Sequence, residues 1–288
     1  MKVVFSCYIF DFHRDYCNNI AEEIIRRGGE VIFAKSGHDY HPAADFTIQP
    51  DEAYPRLGGR GVWINHAFPV VPQNNFYLGE KFKNQLRMNS DLIFTFSKEW
   101  SAWHSAMYGL ETHVVGMPKL DNLFPNTKKS GLVLYAPTHH LKDGVYSGNN
   151  VDTSALKKLC FEAGYSDFVH RGHPAFERSD KTLSELFSQA SLVITDYSSV
   201  GLESIVLRIP TILIGDPKWK THKNDHISSL SDAAATRIYN LDDLPAAIQM
   251  YAQNPKHKST ERSSYSNRLC EFQGNSAKKM VDLLEELL

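Results

Sequence analysis

Leu192-Val193-Ile194-Thr195-Asp196-Tyr197-Ser198-Ser199-Val200 is a short apolar strand, a turn and the start of a helix. The helix is expected to begin near Val200, so two adjacent hydroxyls fall where its backbone N–H groups are unpaired. The positive end of the helix dipole lies there too. Such a place is a ready anion site, and phosphate is its usual occupant. The same serines also read as an ordinary N-cap. A second oxyanion-type segment, Arg171-Gly172-His173-Pro174, stands just upstream at the end of another expected strand. Arg171 and His173 offer donors to an oxyanion, and Gly172 lets a ligand approach the backbone closely.

Working outward, strands and helices alternate along the chain. Strands are expected at Val3–Cys7, Val31–Ala34, Gly61–Asn65, Asp91–Phe96 and Thr112–Val115. The helices between them are Asp15–Arg27, Phe76–Met88 and Lys98–Tyr108. The stretch Leu120–Gly131 lacks periodicity and reads as a linker. Alternation then resumes with strands Leu132–Tyr135, Asp167–His170, Leu192–Thr195, Thr211–Ile214 and Ala234–Tyr239. Their helices are Thr153–Ala163, Leu183–Ala190, Val200–Leu207, Leu241–Gln253 and a last one, Ser264–Leu288. Repeated βα units imply parallel sheets covered on both faces. The expected fold is therefore α/β, with two Rossmann-like doubly wound domains. Residues 1–122 form the first and 123–265 the second, and a helix at 266–288 packs back across both. Ligands of such sheets bind beyond the carboxyl ends of the strands, so two such domains can face each other across a cleft.

Composition sets outer bounds. The 288 residues are 42% hydrophobic and 22% charged, ordinary for a soluble globular chain of two domains. A net charge of −2 gives no global field for a polyanion. Met1-Lys2 runs straight into a strand, so no secretory signal is expected, and no apolar run reaches membrane-span length. Cys7, Cys17, Cys160 and Cys270 form no CxxC pair, and reduced thiols in a cytoplasmic protein are the expectation.

Other strand ends carry candidate chemistry. Asn65-His66-Ala67-Phe68-Pro69 follows a strand, and an imidazole there suits a general base. Asp11 and His13, beyond the first strand, are the next candidates for that role. Thr138, in Tyr135-Ala136-Pro137-Thr138, is a possible phosphate donor. Glu203 lies one helical turn beyond Ser199, where its carboxylate could accept from ribose hydroxyls or pair with Arg208. The chain has no Asp-x-Asp, no G-x-x-x-x-G-K-[ST] and no G-x-G-x-x-G. That disfavours the metal-dependent single-domain nucleotide-sugar transferases, the P-loop proteins and the NAD-type Rossmann proteins.

Taken in order, the segments at 65–69, 116–121 (Gly-Met-Pro-Lys-Leu-Asp), 135–138, 171–174 and 195–203 resemble the CDP-glycerol glycerophosphotransferase family, which makes teichoic-acid-type polyol phosphates. The resemblance spans about residues 60–215 and is most specific at Thr195–Ser199. It implies a GT-B fold. It also implies that His66 is the base on the acceptor hydroxyl, and that His173 contacts the donor diphosphate. Ser198 and Ser199 would bind donor phosphate, Thr138 and Arg171 would complete that clamp, and Glu203 would approach the ribose. The expected reaction moves glycerol phosphate from CDP-glycerol to a hydroxyl-bearing acceptor, with no metal and no cofactor beyond the nucleotide donor. Two alternatives stay open. One is a GT-B glycosyltransferase using a nucleotide sugar on a glycan or a modified nucleic-acid base. The other is a non-catalytic nucleotide-binding subunit.

Overall fold

The computed structural model describes residues 1–9, 11–51, 54–64, 80–124, 130–138, 151–172, 180–196, 198–215 and 232–288. These divide into two compact units. One holds the described residues up to Phe124 together with Arg268–Leu288, and the other runs from there to Asn267.

The first unit contains β1 (Lys2–Phe5), α1 (Asp11–Arg26), β2 (Glu30–Phe33), β3 (Phe46–Gln49) and β4 (Arg60–Ile64). It continues through α2 (Glu80–Asn89), β5 (Leu92–Thr95), α3 (Lys98–Tyr108) and β6 (Glu111–Val114). Its six strands are parallel, in the order β2-β1-β3-β4-β5-β6. Strands buried on both faces read as apolar runs, and Val3, Val4, Phe5, Leu92, Ile93 and Phe94 are all fully or almost fully buried. Helix α1 turns Cys17, Ile20 and Ile24 inward and leaves Ile25 exposed, the stripe expected at helical spacing. Gly109, left-handed at φ 66°, closes α3 by donating its N–H to Ser105 O, as a C-terminal glycine does.

The second unit contains β7 (Leu132–Tyr135), α4 (Thr153–Glu162), β8 (Asp167–His170), α5 (Leu183–Gln189) and β9 (Ala190–Thr195). After these come α6 (Ser199–Val206), β10 (Thr211–Ile214), β11 (Thr236–Ile238), α7 (Leu244–Gln253) and all but the last two residues of α8 (Ser259–Leu269). Its five parallel strands run β11-β10-β9-β7-β8. The direction of winding reverses between β7 and β9. Leu192 and Ile194 of β9 pack with Val133 and Tyr135 of β7 and with Ile212 and Ile214 of β10, closed over by α4 and α7. Each large apolar side chain so buried contributes about 1.5–3 kcal/mol.

Three sequence expectations need correction. Strand β3 was not anticipated, yet it lies between β1 and β4. Its polar residues Thr47 and Gln49 are buried because distant groups satisfy them. Thr47 Oγ1 donates to Gly58 O, Gln49 Nε2 donates to Tyr54 O at 2.8 Å, and Ser90 Oγ donates to Gln49 Oε1 at 3.0 Å. The single helix expected at Ser264–Leu288 is two, α8 and α9 (Ser276–Glu286). The break contains Phe272 and Gly274 at positive φ, 53° and 76°, a conformation that no helix accommodates. The expected linker begins too early. Pro118–Leu123 is a 3₁₀ turn with Pro118 and Leu120 buried, held to α1 by Asn19 Nδ2 donating to Pro118 O at 2.7 Å.

Candidate functional site

The carboxyl ends of β7, β8 and β9 carry the described candidates. At the exit of β7 the ladder runs one residue past the ends of β7 and β8. Ala136 N–H donates to Ile194 O at 3.0 Å, and Arg171 N–H donates to Tyr135 O at 2.9 Å. Pro137 has no N–H and ends the pairing. Thr195 Oγ1 donates to Ala136 O at 2.6 Å, which fixes the exit of β7 against that of β9. Thr138 then turns onto Asp196. Both its N–H (2.8 Å) and its hydroxyl (2.6 Å) donate to Asp196 Oδ1.

Asp196 is 2% exposed. Its Oδ2 is buried with no hydrogen-bond partner among the described residues. Burial raises the carboxyl pKa, and the two bonds from Thr138, followed by the backbone N–H groups of Asp196 and Ser198, pull it back. Tyr135, which stacks on the His170 ring at 5.3 Å, has its phenol pKa pushed up by burial and then by the charge of Asp196. Tyr135 therefore stays protonated and does not serve as a base.

Helix α6 starts directly after β9. Ser198 is its N-cap, with Oγ accepting from Val200 N–H at 3.4 Å, and Ser199 is its first residue. The serine pair is half-buried at the helix start, where Ser198 accepts the Val200 N–H through Oγ and the Gly201 N–H through its carbonyl oxygen. Glu203 sits one turn further along and is 1% exposed. Arg208 instead directs its guanidinium to Asn267 Oδ1 at 3.4 Å.

Two contributors were missed in the sequence. Asp196 stood inside the most informative segment, but nothing local showed that it would clasp Thr138, 58 residues away. Gly201 lets α6 lie close on the sheet, since a Cβ there would meet Leu213 Cδ2 at 2.8 Å and Thr195 Cγ2 at 3.2 Å. This glycine had a readable signal, a small residue on the inner face of an otherwise apolar helix.

The structure thus brings Thr138, Arg171, Ser198 and Ser199 to the carboxyl edge of one sheet, with Glu203 behind it. His66 and His173 lie outside the described residues. Of the reserve bases, Asp11 opens α1. His13 is 2% exposed, with Nδ1 hydrogen-bonded to the Tyr54 hydroxyl at 2.8 Å. Among the described residues, no group of three or more His, Cys, Asp or Glu side chains is placed to hold a metal ion. No described helix is long and apolar enough to cross a membrane.

Two parallel, doubly wound, Rossmann-like units define the GT-B class of fold. Solved structures of that class match accordingly. The wall teichoic acid polymerase TagF aligns with a TM-score of 0.74 at 16% identity, over 99% of this chain and 88% of that one. MurG of Acinetobacter baumannii aligns with a TM-score of 0.51 at 11% identity, over 99% of each chain. The particular family comes from sequence. The model of the CDP-glycerol:poly(glycerophosphate) glycerophosphotransferase family matches residues 72–286, and this chain belongs to that family. The teichoic acid glycerol-phosphate primase of Staphylococcus aureus (strain NCTC 8325 / PS 47) is 36% identical over 131 residues, 41% of this chain. The match covers 33% of that relative, so the chain spans about a third of its length.

Proposed function

We propose that this chain transfers glycerol phosphate from CDP-glycerol to a hydroxyl of a polyol-phosphate acceptor. The observation that carries the reading is the family match over residues 72–286. The gathering of Thr138, Arg171 and the Ser198–Ser199 helix start at a point of strand-order reversal supports it, because ligands of open α/β sheets bind there.

In this reading the acceptor oxygen attacks the phosphorus that bears glycerol. A new P–O bond forms, the bond to the CMP phosphate breaks, and CMP leaves. His66 takes the acceptor proton. Arg171, His173, Ser198 and Ser199 hold the diphosphate and stabilise charge on the departing CMP, while Thr138, whose N–H and hydroxyl are both given to Asp196, sets the loop beside them. Glu203 faces the ribose. These side chains and the helix start perform the role without a metal. The reaction runs in the cytoplasm, a reducing compartment that suits four buried, unpaired cysteines.

The test is a panel of CDP-, UDP- and CMP-linked donors, read by melting temperature and by nucleotide release with a polyol-phosphate acceptor. A donor at about 100 times its Kd adds roughly 2.7 kcal/mol of stability. CDP-glycerol is expected to raise the melting temperature and to yield CMP only when acceptor is present, with or without chelator. Release from a UDP-sugar alone would make the chain a glycosyltransferase. Binding without turnover of any donor would make it a nucleotide-binding subunit.

A further inference from the structure

The end of β9 holds a buried carboxylate that reaches across to the loop after β7. Asp196 Oδ1 takes both donors of Thr138, while Oδ2 has no partner among the described residues. An asparagine would offer Thr138 the same oxygen without burying a charge. What the charge adds is strength, since hydrogen bonds to an ionised acceptor are roughly twice as strong as neutral ones. The place where that strength is applied is the reversal point between β7 and β9. The same carboxylate stands two residues before the Ser198 cap. One side chain therefore ties the loop after β7 to the strand that launches α6.

We propose that Asp196 is the positioning residue of the donor site. It acts through Thr138, holding that residue's backbone and hydroxyl in fixed register with the helix start at Ser198. The inference rests on the functional reading above for the identity of the donor and on the geometry alone for the clasp. A hydroxyl has one proton. While that of Thr138 is given to Asp196, its oxygen meets a ligand as an acceptor, and phosphate at this edge is met by N–H groups and by Arg171.

The experiment compares the parent with Asp196→Asn, Thr138→Val, Thr138→Ser and the Asp196→Asn/Thr138→Val double variant. Four quantities are read: melting temperature, the exchange rate of the Thr138 amide hydrogen, the Kd of CDP, and kcat and KM with CDP-glycerol. Asp196→Asn is expected to melt within about 2 °C of the parent, a small change for a domain of this size. Its Thr138 amide is expected to exchange at least tenfold faster. Its kcat/KM is expected to fall on the order of tenfold to a hundredfold, mostly in kcat, the scale of a group misplaced by about 1 Å. Thr138→Val should match it, the double variant should be no worse than either, and Thr138→Ser should stay near the parent. Asp196→Asn within twofold of the parent kcat/KM overturns the proposal. So do losses that add in the double variant, or activity that falls only in step with melting temperature. A parent that does not turn over CDP-glycerol overturns the functional reading instead. The proposal then stands if Asp196→Asn and Thr138→Val change the Kd of CDP by the same factor as their double variant while Thr138 exchange quickens, and falls on any other result.

Discussion

The carboxylate of Asp121 accepts the backbone N–H of Ala277 at 2.7 Å through Oδ2, and its Oδ1 accepts the N–H of Ser276 at 3.0 Å. The start of α9 is therefore capped by a residue more than 150 positions earlier in the chain, while Asn275, the residue at the cap position, makes no side-chain capping bond. An N-terminal carboxylate also meets the positive end of the helix dipole. The neighbouring Gly116, at φ 85°, permits this approach, because a Cβ there would lie 2.3 Å from Glu271 O. The segment Gly116–Asp121 thus returns the last helix to the first unit.

Asp121→Ala is expected to destabilise the first unit by about 0.5–2 kcal/mol, the range for a lost cap. Asp121→Asn should recover part of it, because one oxygen remains to accept. Denaturant unfolding at neutral pH measures the difference. An Ala variant as stable as the parent would mean that water caps α9 equally well.

Gly201 links packing to the site. The ends of the Leu213 and Thr195 side chains can give way to a single methyl, so Gly201→Ala should be mild. Gly201→Val adds branches between α6 and two strands and is expected to lose about 1–3 kcal/mol, the usual range for overpacking. Displacing α6 also displaces the Ser198 cap, so CDP affinity should fall with stability in this variant. Calorimetry on the folded Val protein checks it, and an unchanged Kd would detach the helix position from donor binding.

The two-unit α/β fold was legible because β7, β9 and β10 carry dense apolar runs, and Leu132–Tyr135, Asp167–His170 and Thr211–Ile214 begin and end where the sequence placed them. Strand β3 was not, because Thr47 and Gln49 look like loop residues until Gly58, Tyr54 and Ser90 are brought to them. The break before α9 was hidden for a related reason. Met280, Val281 and Leu284 continue an apolar stripe, while the stop is set by backbone at Phe272 and Gly274 and by Asp121 from elsewhere. At the candidate site, the positions of Arg171 after β8 and of Ser198 and Ser199 after β9 were readable from strand ends alone. The clasp between Thr138 and Asp196 depends on β7 and β9 being neighbours, which strand order decides and local sequence does not.

The serine pair separates capping from binding. Ser198→Ala removes the bond to Val200 N–H and should cost about 0.5–2 kcal/mol of stability. Ser199→Ala removes no described cap and should melt like the parent. If the helix start cradles donor phosphate, the double variant should bind CDP-glycerol more weakly than either single variant. Titration calorimetry decides it. A double variant with the parent Kd and the stability of Ser198→Ala would reduce the pair to a cap.

His104 predicts how stability responds to acid. Its ring is fully buried on α3 among Trp63, Trp100, Trp103 and Tyr108, with ring centroids 5.0–6.0 Å away. Neither ring nitrogen has a hydrogen-bond partner among the described residues. Burial alone lowers its pKa from 6.5 to about 3. The folded chain therefore holds His104 neutral across a range in which the unfolded chain protonates it. Above pH 6.5 both states are neutral and the residue adds no pH dependence. As pH falls below 6.5 the unfolded state gains a proton that the folded state refuses, and stability drops. The loss reaches about 2 kcal/mol at pH 5 and stops growing near pH 3, where the folded ring also protonates. His104→Phe fills a similar volume without the nitrogens, so it should match or exceed the parent at pH 7.5. The gap between Phe variant and parent should then widen steadily from pH 6.5 downward. Urea unfolding of both proteins at half-unit steps from pH 7.5 to pH 4.5 measures that gap. Two parallel profiles would show that the folded protein admits a proton to His104, and so that the aromatic box opens to water on the timescale of unfolding.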